Sequence, residues 1–278
     1  MFAFRNWIRK GTLPLLVAGM SATAAACGIS QQQELQLGQQ YASQINRELP
    51  IVNDAAASRY MNQLGRSIAQ RGGRNIEYTF YIVNSNMVNA FAVPGGYIYV
   101  NRGLIEATGN MAELAGVLAH EIGHVEERHS VEQLEKAQGA NLGLTLAYVL
   151  LGRQPSGAER AAINVGGGLY FASHSRQAEN EADAVAVSLL AASSIDPNGL
   201  VTMFQKLLAE RKNRPSQFEQ WFATHPLTED RIANVRQLIQ RVPPAQLRGA
   251  QTNTTAFQSF KAGLRRYPAP PPQAQASR

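Results

Sequence analysis

Two imidazoles and a carboxylate stand together in LAHEIGHVEER, residues 118–128: His120, Glu121 and His124. At about 100° per residue on a helix, His124 lies about 40° round from His120 and one turn further along. Both rings then face the same way, as two nitrogen ligands about 2 Å from one tetrahedral zinc must. Glu121, about 100° from His120, borders that face and can reach a water there without displacing it. His129, nine residues and about 180° from His120, is assigned to the solvent side of the same helix. Glu127 lies near the ligand face but a full turn beyond the metal, and is read as solvated or supporting.

HExxH by itself recurs in unrelated helices, so a third ligand is required. Glu127 and Ser130 stand three and six residues after His124, which excludes the extended pattern with a third histidine there. Downstream, SHSRQAENEADAVAVSLLAAS puts Glu179 and Asp183 four apart on one helical face, among alanines that let a second helix approach closely. Glu179 can supply an oxygen ligand. Asp183, one turn on, can accept a hydrogen bond from the outer nitrogen of a ligating histidine and so fix its tautomer. Glu181 points about 200° away from Glu179 and is assigned to solvent. Taken alone, ENEAD is more often an acidic helix face than a zinc site.

The elements that must position these residues follow from periodicity. Asn110 is a cap with Glu113 three residues later to close a capping box. Met111, Leu114, Val117, Leu118, Ile122 and Val125 then form an apolar stripe, which makes the HExxH helix amphipathic. Two helices precede it, QQQELQLGQQYASQINREL and NDAAASRYMNQLGRSIAQRGG, the second opening at an Asn53 cap. Between them and the HExxH helix, IEYTFYIV (76–83) and GGYIYV (95–100) alternate and are rich in aromatic and β-branched residues, as strands are. Pro94 and the glycine pair fit a sheet edge better than a central strand. An uncovered edge accepts an extended peptide by strand addition, although a hairpin that merely closes the core reads the same way.

The 278 residues, 45% of them hydrophobic, suffice for one core with polar tails. Of the net charge of +6, Arg5, Arg9 and Lys10 contribute three within an acid-free leader. The remainder is too small and dispersed to indicate nucleic acid, and the cluster ERKNR (210–214) is a solvated helix end. The leader combines a basic start, the short apolar segment TLPLLVAGMSATAAA and the chain's single cysteine, Cys27. AAACG resembles a bacterial lipobox with Ala24 where leucine is usual. The alternative is ordinary signal-peptidase cleavage after the alanines. Either reading exports residues after 27, into the periplasm if the source is bacterial, and lipidation at Cys27 anchors them to the outer membrane. A dozen apolar-dominated positions at 141–152 are too few to span a membrane and read as a buried or lid helix. FQSFKAGLRR is a short docked helix, and YPAPPPQAQASR a Pro/Ala/Gln tail with nothing to bury.

LAHEIGHVEERH, SRQAENEADAVA, the preceding NAFAVPGGYIYVNRGLI and the following THPLTEDRI occur in an order that resembles the HtpX-like and CAAX-prenyl-protease-like family of zinc metallopeptidases, closest to its exported members. The resemblance implies an α+β, mainly helical gluzincin domain over 31–241 with a small edge sheet along the cleft, and a C-terminal extension over 242–278. It implies one zinc per chain held by His120, His124 and Glu179, with Asp183 behind a histidine, and substrate backbone along Asn89, Ala90 and Phe91. Glu121 is then the general base for water at the open position. His225, held extended by Pro226, is a candidate partner of the oxyanion. It is alternatively a cap of the next helix, or an extra ligand that closes the resting zinc. His174 is read as structural. Two functions follow. One is an endopeptidase for unfolded or misassembled envelope proteins, in a quality-control role. The other is a non-proteolytic chaperone that holds client strands in the cleft, for which Glu121 would have no purpose.

Overall fold

The computed structural model describes residues 28–136 and 173–270 of the chain. The leader with Cys27, the segment 141–152 and the end of the Pro/Ala/Gln tail lie outside the described residues. In chain order the described elements are α1 (Gln31–Glu48), α2 (Ala55–Ala69), β1 (Thr79–Val83), β2 (Ala90–Val93), β3 (Tyr97–Asn101), α3 (Arg102–Ala107), α4 (Met111–Glu126), α5 (His129–Lys136), α6 (Arg176–Ala192), α7 (Asn198–Asn213), α8 (Pro215–Thr224), α9 (Glu229–Arg241), α10 (Pro244–Leu247) and α11 (Thr255–Arg266). No helix among them is long and apolar enough to cross a membrane. The architecture is mainly helical with one small mixed sheet, as expected.

The sheet runs β1-β3-β2, with β1 parallel and β2 antiparallel to β3. The strand after the glycine pair is therefore central, contrary to the edge position expected for it. Pro94 and the glycines lie outside the ladder: Gly95 and Gly96, at φ +79° and +88°, make the turn between β2 and β3. Proline's missing N–H is then no handicap, and the edge strands are β1 and β2 instead.

α4 departs from the expected amphipathic helix, since every residue from Met111 to Val125 is buried. Such a helix is central rather than superficial. It packs against β2, α2, α6 and α7. Close approach is purchased with small residues: a Cβ on Gly123 would meet Ala182 O at 2.6 Å, and one on Gly116 would meet Leu200 Cα at 2.8 Å. The expected capping box is only half formed. Asn110 accepts from Glu113 N at 2.9 Å, but the Glu113 carboxylate turns instead to Gly109 N and to the Lys206 ammonium at 2.6 Å. The cap of α2 is Asp54 rather than Asn53, its Oδ1 accepting from Ala56 N and Ala57 N. Phe257, Phe260 and Leu264 of α11 join the same hydrophobic core as α4, so FQSFKAGLRR is docked.

At its C-terminus α4 stops at Glu126, and the chain reverses through Arg128 at φ +58° before α5 begins. A buried carboxylate secures this corner. Glu34 receives both Nη atoms of Arg74 at 2.8 Å and Nε of Arg128 at 2.9 Å, while Arg74 Nη1 also reaches Val125 O at 2.8 Å. Burial alone would raise the Glu34 carboxyl, but hydrogen bonds and charge from Arg74, with help from Arg128, hold it below its usual range.

Candidate metal centre

Three separate segments converge: α4 supplies His120 and His124, α6 supplies Glu179, and the link between α8 and α9 supplies His225. All four are buried, with one donor atom from each within 4.8 Å of the others. His120 Nε2 lies 3.1 Å from His124 Nε2 and 3.4 Å from His225 Nδ1, while Glu179 Oε1 lies 3.2 Å from His124 Nε2 and 3.1 Å from His225 Nδ1. Donors about 2.0–2.1 Å from a tetrahedral zinc stand about 3.3–3.4 Å from one another. The observed separations therefore fit that ion, and nitrogen and carboxylate are the donor types it takes. Thr228, not His225, caps α9, its Oγ1 accepting from Arg231 N; the helix-cap alternative for His225 is thereby removed.

Behind the donors sits a charged support. His120 Nδ1 is 2.9 Å from Asp183 Oδ1, leaving Nε2 to face the other donors. Asp183 is gripped by Arg231 through Nε at 2.6 Å and Nη2 at 2.9 Å, and Arg231 Nη1 also pairs with Glu179. The guanidinium lies over the Phe204 ring, 4.6 Å from its centroid. Burial opposes ionisation of Asp183, yet Arg231 and His120 hold its carboxyl below the usual range. For Glu179, burial is likewise outweighed by His225 and Arg231, and its carboxyl is held well below. Burial lowers His120, but hydrogen bonding to Asp183 and Glu179 raises it to about 9. The negative charge that favours a proton on His120 equally favours a dication. Burial and the neighbouring His174 keep His124 well below its usual range, and so neutral, as a ligand must be.

Glu121 is sealed beside this cluster. Oε1 has no hydrogen-bond partner among the described residues, and His225 Nε2 lies 3.5 Å from it. Burial pushes its carboxyl above the usual carboxylate range, against the pull of His225 and His120. A buried polar atom without a partner is costly in a folded protein, and such atoms collect where a ligand or a reaction supplies the partner.

His129 overturns its assignment to solvent. It is 3% exposed, and Nδ1 lies 2.9 Å from His124 Nδ1. The helical projection failed because α4 ends before it. Glu181 is 43% exposed at its side chain, as expected of a solvent position, but Oε2 is 3.0 Å from His129 Nε2. Glu127 is exposed. His174 stacks on His124 at 3.9 Å between centroids, and burial with the nearby His225 lowers it to about 3. All five histidines thus gather in one place. Asn89 is buried just before the edge strand β2, which contains Ala90 and Phe91, and its Oδ1 has no partner among the described residues. Sequence reasoning missed Arg231; the signal available was an arginine six residues after His225 in a chain with two buried acids to neutralise.

Comparison with known proteins agrees with this geometry. The model of Peptidase family M48 matches residues 55–239. The beta-barrel assembly-enhancing protease of Escherichia coli (strain K12) is 31% identical over 239 residues, which are 82% of this chain and 48% of that protein. Metalloprotease LoiP of the same strain is 33% identical over 176 residues, 63% of this chain and 66% of that protein. The mitochondrial metalloendopeptidase OMA1 of Schizosaccharomyces pombe is 30% identical over 187 residues, 66% and 52% respectively. The chain spans about half the length of the beta-barrel assembly-enhancing proteases it matches. With the donor set and the match together, His120, His124, Glu179 and His225 form a zinc site.

Proposed function

The chain belongs to peptidase family M48, and from that premise we propose that it is a zinc endopeptidase that cleaves unfolded or misassembled proteins of the bacterial envelope. The observation that carries the reading is the buried Glu121 carboxylate beside the zinc donors, whose Oε1 has no hydrogen-bond partner among the described residues. Zinc, when bound, supplies a Lewis acid that polarises the scissile carbonyl and acidifies water. Glu121, with its affinity for protons raised by burial, takes a proton from the attacking water and returns it to the leaving nitrogen as the C–N bond breaks. A holding module has no use for such a base.

His225 completes the donor set through Nδ1 in this arrangement and faces Glu121 through Nε2. His225 would join His120, His124 and Glu179 in holding the zinc, and when not so engaged its ring, beside Glu121, would be at hand for the oxyanion. The edge strand β2, following Asn89, offers Ala90 and Phe91 for pairing with an extended substrate. The envelope as the place of action is supported by the exported-type leader with Cys27 and by the similarity to the beta-barrel assembly-enhancing protease of Escherichia coli. Lipidation of Cys27 would anchor the enzyme to the outer membrane; fatty-acid labelling that persists in Cys27→Ser removes that part.

The decisive experiment pairs a metal assay with casein digestion. Wild type should bind about one zinc per chain and digest casein, while Glu121→Gln keeps its zinc and loses about 10²–10⁴-fold in rate. Digestion by Glu121→Gln at the wild-type rate would falsify the reading. For His225→Phe, full turnover on a good peptide removes the oxyanion role.

A further inference from the structure

His124 turns Nε2 toward the other donors, 3.1 Å from His120 Nε2 and 3.2 Å from Glu179 Oε1. To coordinate there, Nε2 must keep its lone pair, which leaves the ring proton on Nδ1. That Nδ1 is 2.9 Å from Nδ1 of His129. Two ring nitrogens this close share a single proton, so His129 accepts at Nδ1 and, when neutral, carries its own proton on Nε2. His129 Nε2 in turn is 3.0 Å from Glu181 Oε2, and the other Glu181 oxygen accepts from Gln177 Nε2 at 2.9 Å. Each bond dictates the next, and one assignment of protons satisfies them all.

We infer that His129 is a positioning residue for the metal: it holds His124 in the Nδ1–H tautomer and fixes the tilt of its ring, with Glu181 as the terminal acceptor at the protein surface. The inference rests on the zinc site described above. His129 is delivered to this position by the corner at Arg128, because a continued α4 would carry it away from His124. Partners of this kind are worth about 10–100-fold in metal affinity.

The test is zinc affinity of the purified chain, measured by competition with a chromophoric chelator, alongside the unfolding midpoint of each metal-free protein. His129→Phe should weaken zinc binding about 10–100-fold. His129→Asn, whose Oδ1 takes the place of Nδ1 as acceptor, should remain within about threefold of wild type. At the surface, where folding is not at stake, Glu181→Ala should cost about threefold or more at an unchanged midpoint, and Glu181→Gln, which keeps a carbonyl acceptor, should cost less. If His129→Phe does not fold, the Glu181 pair decides. Wild-type affinity in both Glu181 variants, or an equal loss in both as a bare charge effect would give, overturns the relay. A wild-type chain that binds no zinc refutes the zinc site itself, which is a separate result.

Discussion

His120 hands its outer nitrogen to a carboxylate sealed inside the protein, whereas His124 hands its own to a second imidazole whose far side reaches a half-exposed glutamate. The first arrangement places Asp183 beside Glu179 and Glu121, three acids in one dry pocket, and it needs the buried guanidinium of Arg231 to be tolerable. A carboxylate directly behind His124 would have added a fourth. Interposing the ring of His129 moves that carboxylate out to Glu181, where its side chain is 43% exposed, while still offering His124 an acceptor. Two ligands one turn apart on the same helix are thus oriented by opposite means. One uses a compensated buried ion pair, and the other a hydrogen-bond chain that exports its charge.

Breaking the buried arrangement should give the largest effect. Asp183→Ala leaves Arg231 inside with only Glu179 to answer it, and removing one partner of a buried pair costs about 3–5 kcal/mol. Denaturant unfolding of the metal-free protein measures this. A double variant, Asp183→Leu with Arg231→Leu, should recover part of the loss, because it removes both charges together. If Asp183→Ala unfolds at the wild-type midpoint, the contrast between the two supports has no energetic basis.

The support of His124 depends on the corner after α4, so loosening that corner sharpens the comparison. Glu34→Gln removes the charge that Arg74 and Arg128 share, and hydrogen bonds to charged groups contribute about 1.5–3 kcal/mol. The pH dependence has a definite sign. With the folded Glu34 carboxyl held below its ordinary value of 4.5, its contribution is full above that value and disappears as pH falls through the folded pKa. The stability gap between wild type and Glu34→Gln, followed by denaturant unfolding, should be constant near neutrality and close in acid. A gap that widens in acid contradicts the assignment.

These contrasts also explain what the chain's letters could and could not disclose. His120 and His124 were legible because their spacing is set within a single helix, where 3.6 residues per turn converts sequence distance directly into direction; that spacing also put Glu179 and Asp183 on one face, but it was the family resemblance that joined that face to the histidines. His129 was misread by the same rule, applied across a boundary where α4 ends and Arg128 turns the chain. Arg231 was overlooked because its partners are 48 and 52 residues away, and no periodicity links α9 to α6. Periodicity showed mostly helices around a small strand region and the resemblance supplied the gluzincin class, but neither gave the order of strands: Pro94 and its glycines mark a turn, and a turn does not say which flanking strand is central. The burial of α4 on all sides was hidden by its histidines and glutamates, which look like a polar face until the structure shows His120, Glu121 and His124 gathered with Glu179 and His225 inside the protein.

The smallest effect separates helix stability from ligand support. Asn110 caps α4 through Glu113 N and touches neither histidine. Asn110→Ala should cost about 1 kcal/mol, the usual value of a side-chain cap, visible as a lower midpoint in denaturant. Because both ligands ride on the same helix and both supports remain, zinc affinity should stay near wild type, unlike His129→Phe, which spares the cap and weakens the metal. Should Asn110→Ala lower zinc affinity as much as His129→Phe, the loss in either case would come from a destabilised α4, and the separate means of holding the two rings would carry no weight in binding.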